Sequence, residues 1–136
     1  MITRFRAWDK RKNVMRDVAV LHFTKNGKTN FIEYWINPTE LKSYHVRNID
    51  LMQSTGLIDR NGVEIFEGDV VAVENHPFQR KEDSSAGMEI EGDYVVGWNQ
   101  HDLTWCAGDL LLARLKPYVR VIGNIYENSE LLEEQR

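Results

Sequence analysis

The chain has 136 residues, with 17 Lys and Arg against 21 Asp and Glu, for a formal charge of −4. That is the length of one ordinary domain, which buries roughly two-thirds of its unfolded surface on folding; 42 % hydrophobic residues with 14 aromatics exclude a disordered chain. The net charge conceals a split, because residues 1–60 carry 11 basic and 6 acidic side chains whereas residues 61–136 carry 6 and 15.

Short apolar runs broken by turn residues every ten or so positions favour strands over helices. Arg4–Trp8 alternates, with Phe5 and Ala7 on one face and Arg4, Arg6 and Trp8 on the other, which predicts an edge or half-exposed strand. A polar turn follows at Asp9–Asn13. Val18–Phe23 and Phe31–Ile36 form a hairpin across Lys25-Asn26-Gly27-Lys28, where Asn-Gly supplies the positive φ a tight turn needs. Asn37-Pro38 ends the second strand, since proline lacks a ladder donor. Residues 39–48 show no clear period and suit a short helix or a loop equally.

Beyond the Asp59–Gly62 turn, strands are expected at Val63–Phe66 and Val70–Glu74, separated by the turn Glu67-Gly68-Asp69. Residues 75–92 read as a mobile or functional loop. Tyr94–Trp98 and Leu103–Cys106 pair across Asn99–Asp102, Leu110–Leu115 is either helical or extended, and Val119–Ile122 is a further strand. Asn128 or Ser129 is suited to cap a last helical turn at Glu130–Glu133. No internal repeat is present.

Arg4, Arg6 and Asp9 interrupt any apolar stretch near the start, so no signal peptide is expected. The apolar runs fall far short of the ~18–20 residues that cross a bilayer. Cys106 is the only cysteine, which removes any intramolecular disulfide and suits a reducing cytoplasm.

Three segments together resemble the YopX family of phage and prophage proteins: Phe5-Arg-Ala-Trp-Asp9 with Met15 following, Met52 to Val71, and Ile122 to Leu132. The family pattern has an aromatic at the position of Ser54, a tyrosine at that of Phe66 and a proline at that of Ser129. The resemblance implies a bacteriophage or prophage origin and a mainly β fold, an SH3-like barrel with additional strands or hairpins and at most one or two short helices. It implies no catalytic residues. The whole chain is expected to form a single such domain.

Read on their own, Gly56, Gly62 and Gly68 stand where the strand pattern breaks and are turn residues first. Asp59 and Asp69 are placed to accept backbone N–H groups in those turns, with Glu67 beside them, and Gly123-Asn124 reads as a turn or bulge. Asp69 and Val70 follow Gly68, which excludes a phosphate loop, because that motif ends in Lys-Ser/Thr.

The chemistry of the chain is sparse. His22, His45, His76 and His101 lie more than 20 residues apart without metal-ligand spacing, so no metal or cofactor is expected. Cys106 near His101 and Asp102 is best read as buried and inert. Nothing brings two of the many carboxylates into one cleft, and an enzyme is not expected. The candidate binding surface is a basic hairpin of Arg4, Arg6, Lys10, Arg11, Lys12 and Arg16, with Trp8 as a stacking surface. That cluster is either solvated or paired with the acidic half, or it meets a partner protein or nucleic acid. The reading these features favour is a cytoplasmic accessory protein that acts through protein contacts with a phage or host protein or with its own copies; nucleic-acid binding by the basic hairpin is the alternative.

Overall fold

The structure is a computed structural model that describes residues 4–77, 90–128 and 130. The chain divides into two compact units, Met1–Ser54 and Thr55–Arg136.

In the first unit, β1 (Phe5–Asp9) lies between β2 (Val14–Phe23) and β5 (Ile49–Ile58), antiparallel to both. β2 continues to β3 (Thr29–Asn37) and β3 to β4 (Glu40–His45), so the strands run in the order β4-β3-β2-β1-β5. The Asn-Gly turn forms as its residues dictate: Gly27 sits at φ 84°, and the Gly27 N–H donates to Thr24 O at 2.9 Å. Register shifts between Val18 and Val20 and between His22 and Phe23 interrupt the β2–β3 ladder, the kind of irregularity that bends a strand. The core gathers on one face, where Ala7, Ile32, Tyr34 and Ile49 are buried and Val18, Leu21, Tyr44, Val46 and Leu51 pack against them. Each large apolar side chain buried this way contributes roughly 1.5–3 kcal/mol.

Three features of this unit depart from the sequence reading. β1 is a central strand, because β5 supplies the neighbour that its own alternation did not reveal. Residues 39–48, expected as a short helix or a loop, are mostly the edge strand β4, and the short helix is confined to one 3-10 turn at Val46–Asn48. β5 itself has a mixed polar and apolar sequence that no simple period announces, and it runs through Gly56, which was expected at a turn: Gly56 takes the positive φ of 77° expected of it, but within a strand.

In the second unit the end of β5 meets β6 (Glu64–Phe66), where the Thr55 hydroxyl donates to Ile65 O at 2.7 Å. A five-stranded antiparallel sheet follows in the order β10-β9-β8-β7-β11. Its strands are β7 (Asp69–Val73), β8 (Gly92–Asn99), β9 (Thr104–Ala107), β10 (Leu110–Leu111) and β11 (Val119–Asn124). All five residues of β7 are buried, which explains its unbroken Val-Val-Ala-Val run: a strand covered on both faces has no polar face to alternate with. Leu110–Leu115 splits into β10 and a single helical turn, α1 (Leu112–Leu115), which drops Leu112 and Leu115 onto the core. Pro117 then sits in a 3-10 turn, Lys116–Tyr118, that leads into β11. The core joins Ile65, Val71, Val73, Val96, Ala107 and Val119 to these leucines.

The protein is thus mainly β, with two antiparallel sheets and one short helix. Among the described residues neither sheet closes on itself, so barrel closure is not seen. Most of the loop expected at 75–92 and of the helical turn expected at 130–133 lies outside the described residues.

Candidate functional site

Asp9 organises the basic hairpin. Its carboxylate is fully buried at the end of β1, and Oδ1 accepts the backbone N–H groups of Arg11 and Lys12, both at 3.0 Å. The Asn13 N–H donates to Asp9 O at 2.8 Å, and Asn13 takes a positive φ of 55° to close the turn. Oδ2 faces the Arg16 guanidinium at 3.4 Å, which in turn lies 4.7 Å from the centroid of the Tyr34 ring. Burial pushes the Asp9 carboxyl up, but the Lys12 and Arg11 N–H bonds and the Arg16 charge outweigh it and hold the group below the usual carboxylate range. Burial raises the Tyr34 hydroxyl, against the pull of Arg16.

The basic residues therefore divide. Arg16 is tied to Asp9, and Lys10 stands 3.5 Å from Asp50. Arg4 gives its carbonyl to the Ser54 N–H, Arg6 and Trp8 are half-buried in β1, and Arg11 and Lys12 project at the exposed turn. The sequence did not show what the fold adds to these two. Lys42, Ser43, Tyr44 and His45 of β4, with Asn48 from the 3-10 turn, line with Arg11 and Lys12 a pocket of about 320 Å³. The Lys10 N–H donates to Asn48 O at 2.9 Å and anchors one wall. Among the described residues no carboxylate lines the pocket. His45 Nδ1 accepts the Arg47 N–H at 3.1 Å, so the neutral ring carries its proton on Nε2.

The motif residues of the second unit serve the fold. Buried Asp59 accepts at Oδ1 from Asn61 N–H and Val63 N–H, both at 2.8 Å, and at Oδ2 from Val121 N–H at 2.9 Å, joining the turn before β6 to β11. Burial raises this carboxyl, yet the Val121, Val63 and Asn61 N–H groups bring it below the ordinary value. Gly62, at φ 83°, donates its N–H to Asp59 O and completes a turn that a side chain would strain. Gly68 shares that φ; Glu67 before it is half-buried, and Asp69 after it accepts the Phe66 N–H at 2.8 Å. Asn124 Oδ1 accepts the N–H groups of Tyr126 and Glu127, a local turn at the end of β11.

Gly123 is small for a different reason. A Cβ there would stand 2.4 Å from Asn128 Oδ1, the atom that accepts the Asn124 N–H. Gly123→Ala is expected to push Asn128 aside and cost about 1–3 kcal/mol, read as a lower urea midpoint at unchanged m.

The remaining candidates are accounted for by packing. His22 is stacked on Phe31 with centroids 4.1 Å apart and lies 2.8 Å from Glu33 Oε2, and Cys106 is buried. Half-buried Glu74 meets Arg120 at 2.8 Å and Arg60 at 3.2 Å; Arg120 first, then Arg60, holds its carboxyl below the usual range. Among the described residues no group of three His, Cys, Asp or Glu is placed to hold a metal ion. A larger concavity of about 470 Å³ in the second unit is mainly apolar, lined by Ile90, Leu110, Leu115 and Tyr118 and edged by His76 and Arg114. Among the described residues no helix is long and apolar enough to cross a membrane.

Fold and site together define an antiparallel β protein of two units with a cation-lined pocket in the first. The model of the family described as YopX protein matches residues 4–133, nearly the whole chain, and the chain belongs to that family. Among solved structures, the crystal structure of protein EF1440 from Enterococcus faecalis is similar, with a TM-score of 0.67 and 26 % sequence identity over 97 % of this chain and 99 % of that one. No curated protein matches the chain.

Proposed function

We propose that the protein is a non-enzymatic phage or prophage accessory protein that acts in the cytoplasm through protein contacts, first with a second copy of itself. One observation carries this reading: the charge split follows the division into units. Met1–Ser54 holds ten Lys and Arg against five Asp and Glu, while Thr55–Arg136 holds seven against sixteen. Opposite charge on two compact units favours contacts between the basic unit of one copy and the acidic unit of another.

The first unit offers such a contact an apolar centre. Ile32 and Tyr34 point into the core, so Phe31, Glu33 and Trp35 lie on the other face of β3. Leu41 stands opposite Trp35 and Val20 opposite Glu33. Trp35 and Leu41 are 44 % and 40 % exposed, and a tryptophan in such a setting is a typical interface anchor.

Size-exclusion chromatography with light scattering tests the reading. The native chain is expected to self-associate at about 0.05 M salt and to dissociate at about 0.5 M, where surface charges are screened. Trp35→Glu is expected to give a folded monomer at both. A native chain that is monomeric at low salt overturns the proposal. The SH3-like barrel with additional strands expected of the whole chain draws its support from the second unit, whose strands run in the order β11-β7-β8-β9-β10 with a 3-10 turn just before β11. The alternative function, nucleic-acid binding by the hairpin, draws support from the positive charge of the first unit, although Lys10 and Arg16 are engaged within it.

A further inference from the structure

We infer that the pocket between the β1–β2 turn and β4 is a binding site for a terminal phosphate, a phosphomonoester carried by a nucleotide or by the end of a nucleic-acid strand. This inference does not depend on self-association.

The lining is rich in cations. Arg11, Lys12 and Lys42 bring three of them, beside Ser43, Tyr44, His45 and Asn48. The ion pairs among the described residues include none of the three cations. Three positive charges around about 320 Å³, with no carboxylate among the described lining residues, repel one another. An anion relieves that repulsion, and the larger its charge the more completely it does so. A single carboxylate carries −1, whereas a phosphomonoester carries about −1.5 to −2 at neutral pH with three strong acceptor oxygens. Arginine adds planar two-point recognition of such oxygens.

The site is also held in shape before any ligand arrives. The Arg11 and Lys12 backbone is fixed by the buried Asp9 carboxylate, and Asp9 in turn holds Arg16 over Tyr34, whose ring lies 5.8 Å from that of Tyr44. Asp9 thus supports both the turn that presents two cations and the aromatic wall beside the third. Preorganised donors cost little ordering on binding. The volume sits at the small end of ligand pockets, roughly 300 Å³ and upward, so it suits one phosphate and part of the group it is attached to rather than a run of backbone.

The test uses the full chain and four probes followed by calorimetry and amide NMR: inorganic phosphate, a nucleoside monophosphate, a short single-stranded oligonucleotide with a 5′-phosphate, and the same oligonucleotide with a 5′-hydroxyl. The 5′-phosphate is expected to tighten oligonucleotide binding about tenfold, with shifts at Arg11, Lys12 and Lys42 to His45. Equal affinity for the mononucleotide and the phosphorylated strand assigns the site to the free ligand; tighter binding of the strand assigns it to the strand end. Lys42→Ala and Arg11→Ala alter exposed residues and are each expected to weaken binding about tenfold without changing the fold. Equal binding of the 5′-hydroxyl and 5′-phosphate strands overturns the inference, as does tighter binding of an acidic hexapeptide than of any phosphate probe, or the absence of shifts at these residues.

Discussion

Asp59→Ala is expected to remove about 3–4 kcal/mol of stability, because three part-buried backbone N–H groups lose their side-chain acceptor and each such bond to a carboxylate contributes about 1 kcal/mol or slightly more. Set against the ~5–15 kcal/mol of a typical domain, this is a large share of the total and is expected to lower the urea midpoint markedly. Asp59→Asn is the gentler comparison. It keeps one acceptor oxygen but turns an amide N–H₂ toward a backbone N–H, and a loss of about 2–3 kcal/mol is expected. Urea unfolding followed by circular dichroism measures both. If Asp59→Ala unfolds at the native midpoint, the carboxylate does not hold the β6 turn to β11.

Asp9→Asn is the corresponding experiment in the first unit. The change removes the charge that faces Arg16, and a loss of about 2–4 kcal/mol is expected, since the half-buried guanidinium is left without its partner. Acid titration gives a second readout. Both carboxyls sit below their unfolded values, so their contribution is complete above the ordinary carboxylate range and is lost as pH falls through the depressed folded values. The urea midpoint of the native chain should therefore fall between about pH 5 and pH 2. Asp9→Asn and Asp59→Asn should each start lower at neutral pH and lose less on acidification, because the group that would titrate is gone. A variant whose acid limb is as steep as that of the native chain contradicts the assignment.

The sequence announced the elements whose physics is local. Asn26-Gly27 is a turn for reasons contained in two residues, and the Val70–Val73 run needs nothing but burial to be a strand. β4 escaped because an edge strand with solvent on most sides has no apolar period: Glu40, Leu41, Lys42 and Ser43 are all exposed, and only pairing with β3 makes the segment extended. The binding surface was half legible for the same reason. Arg11 and Lys12 could be found as a charge run, but Lys42, Tyr44 and His45 join them only through a strand that the pattern did not reveal, some thirty residues further on. Lys10 and Arg16 looked equivalent to their neighbours until the fold placed Asp50 and Asp9 against them. Charge counts in a sequence do not distinguish a cation that holds the protein together from one that faces outward.

The bond from the Arg47 amide to His45 Nδ1 has a practical consequence for spectroscopy. It selects one tautomer of the neutral ring, so the two imidazole nitrogens should give well-separated ¹⁵N resonances, one hydrogen-bonded and unprotonated, the other carrying the proton. Opening of the 3-10 turn at Val46–Asn48 would break that bond and bring the two resonances together. The ring thus serves as an intrinsic label for the closure of this turn, readable without a fluorophore, a mutation or a known activity.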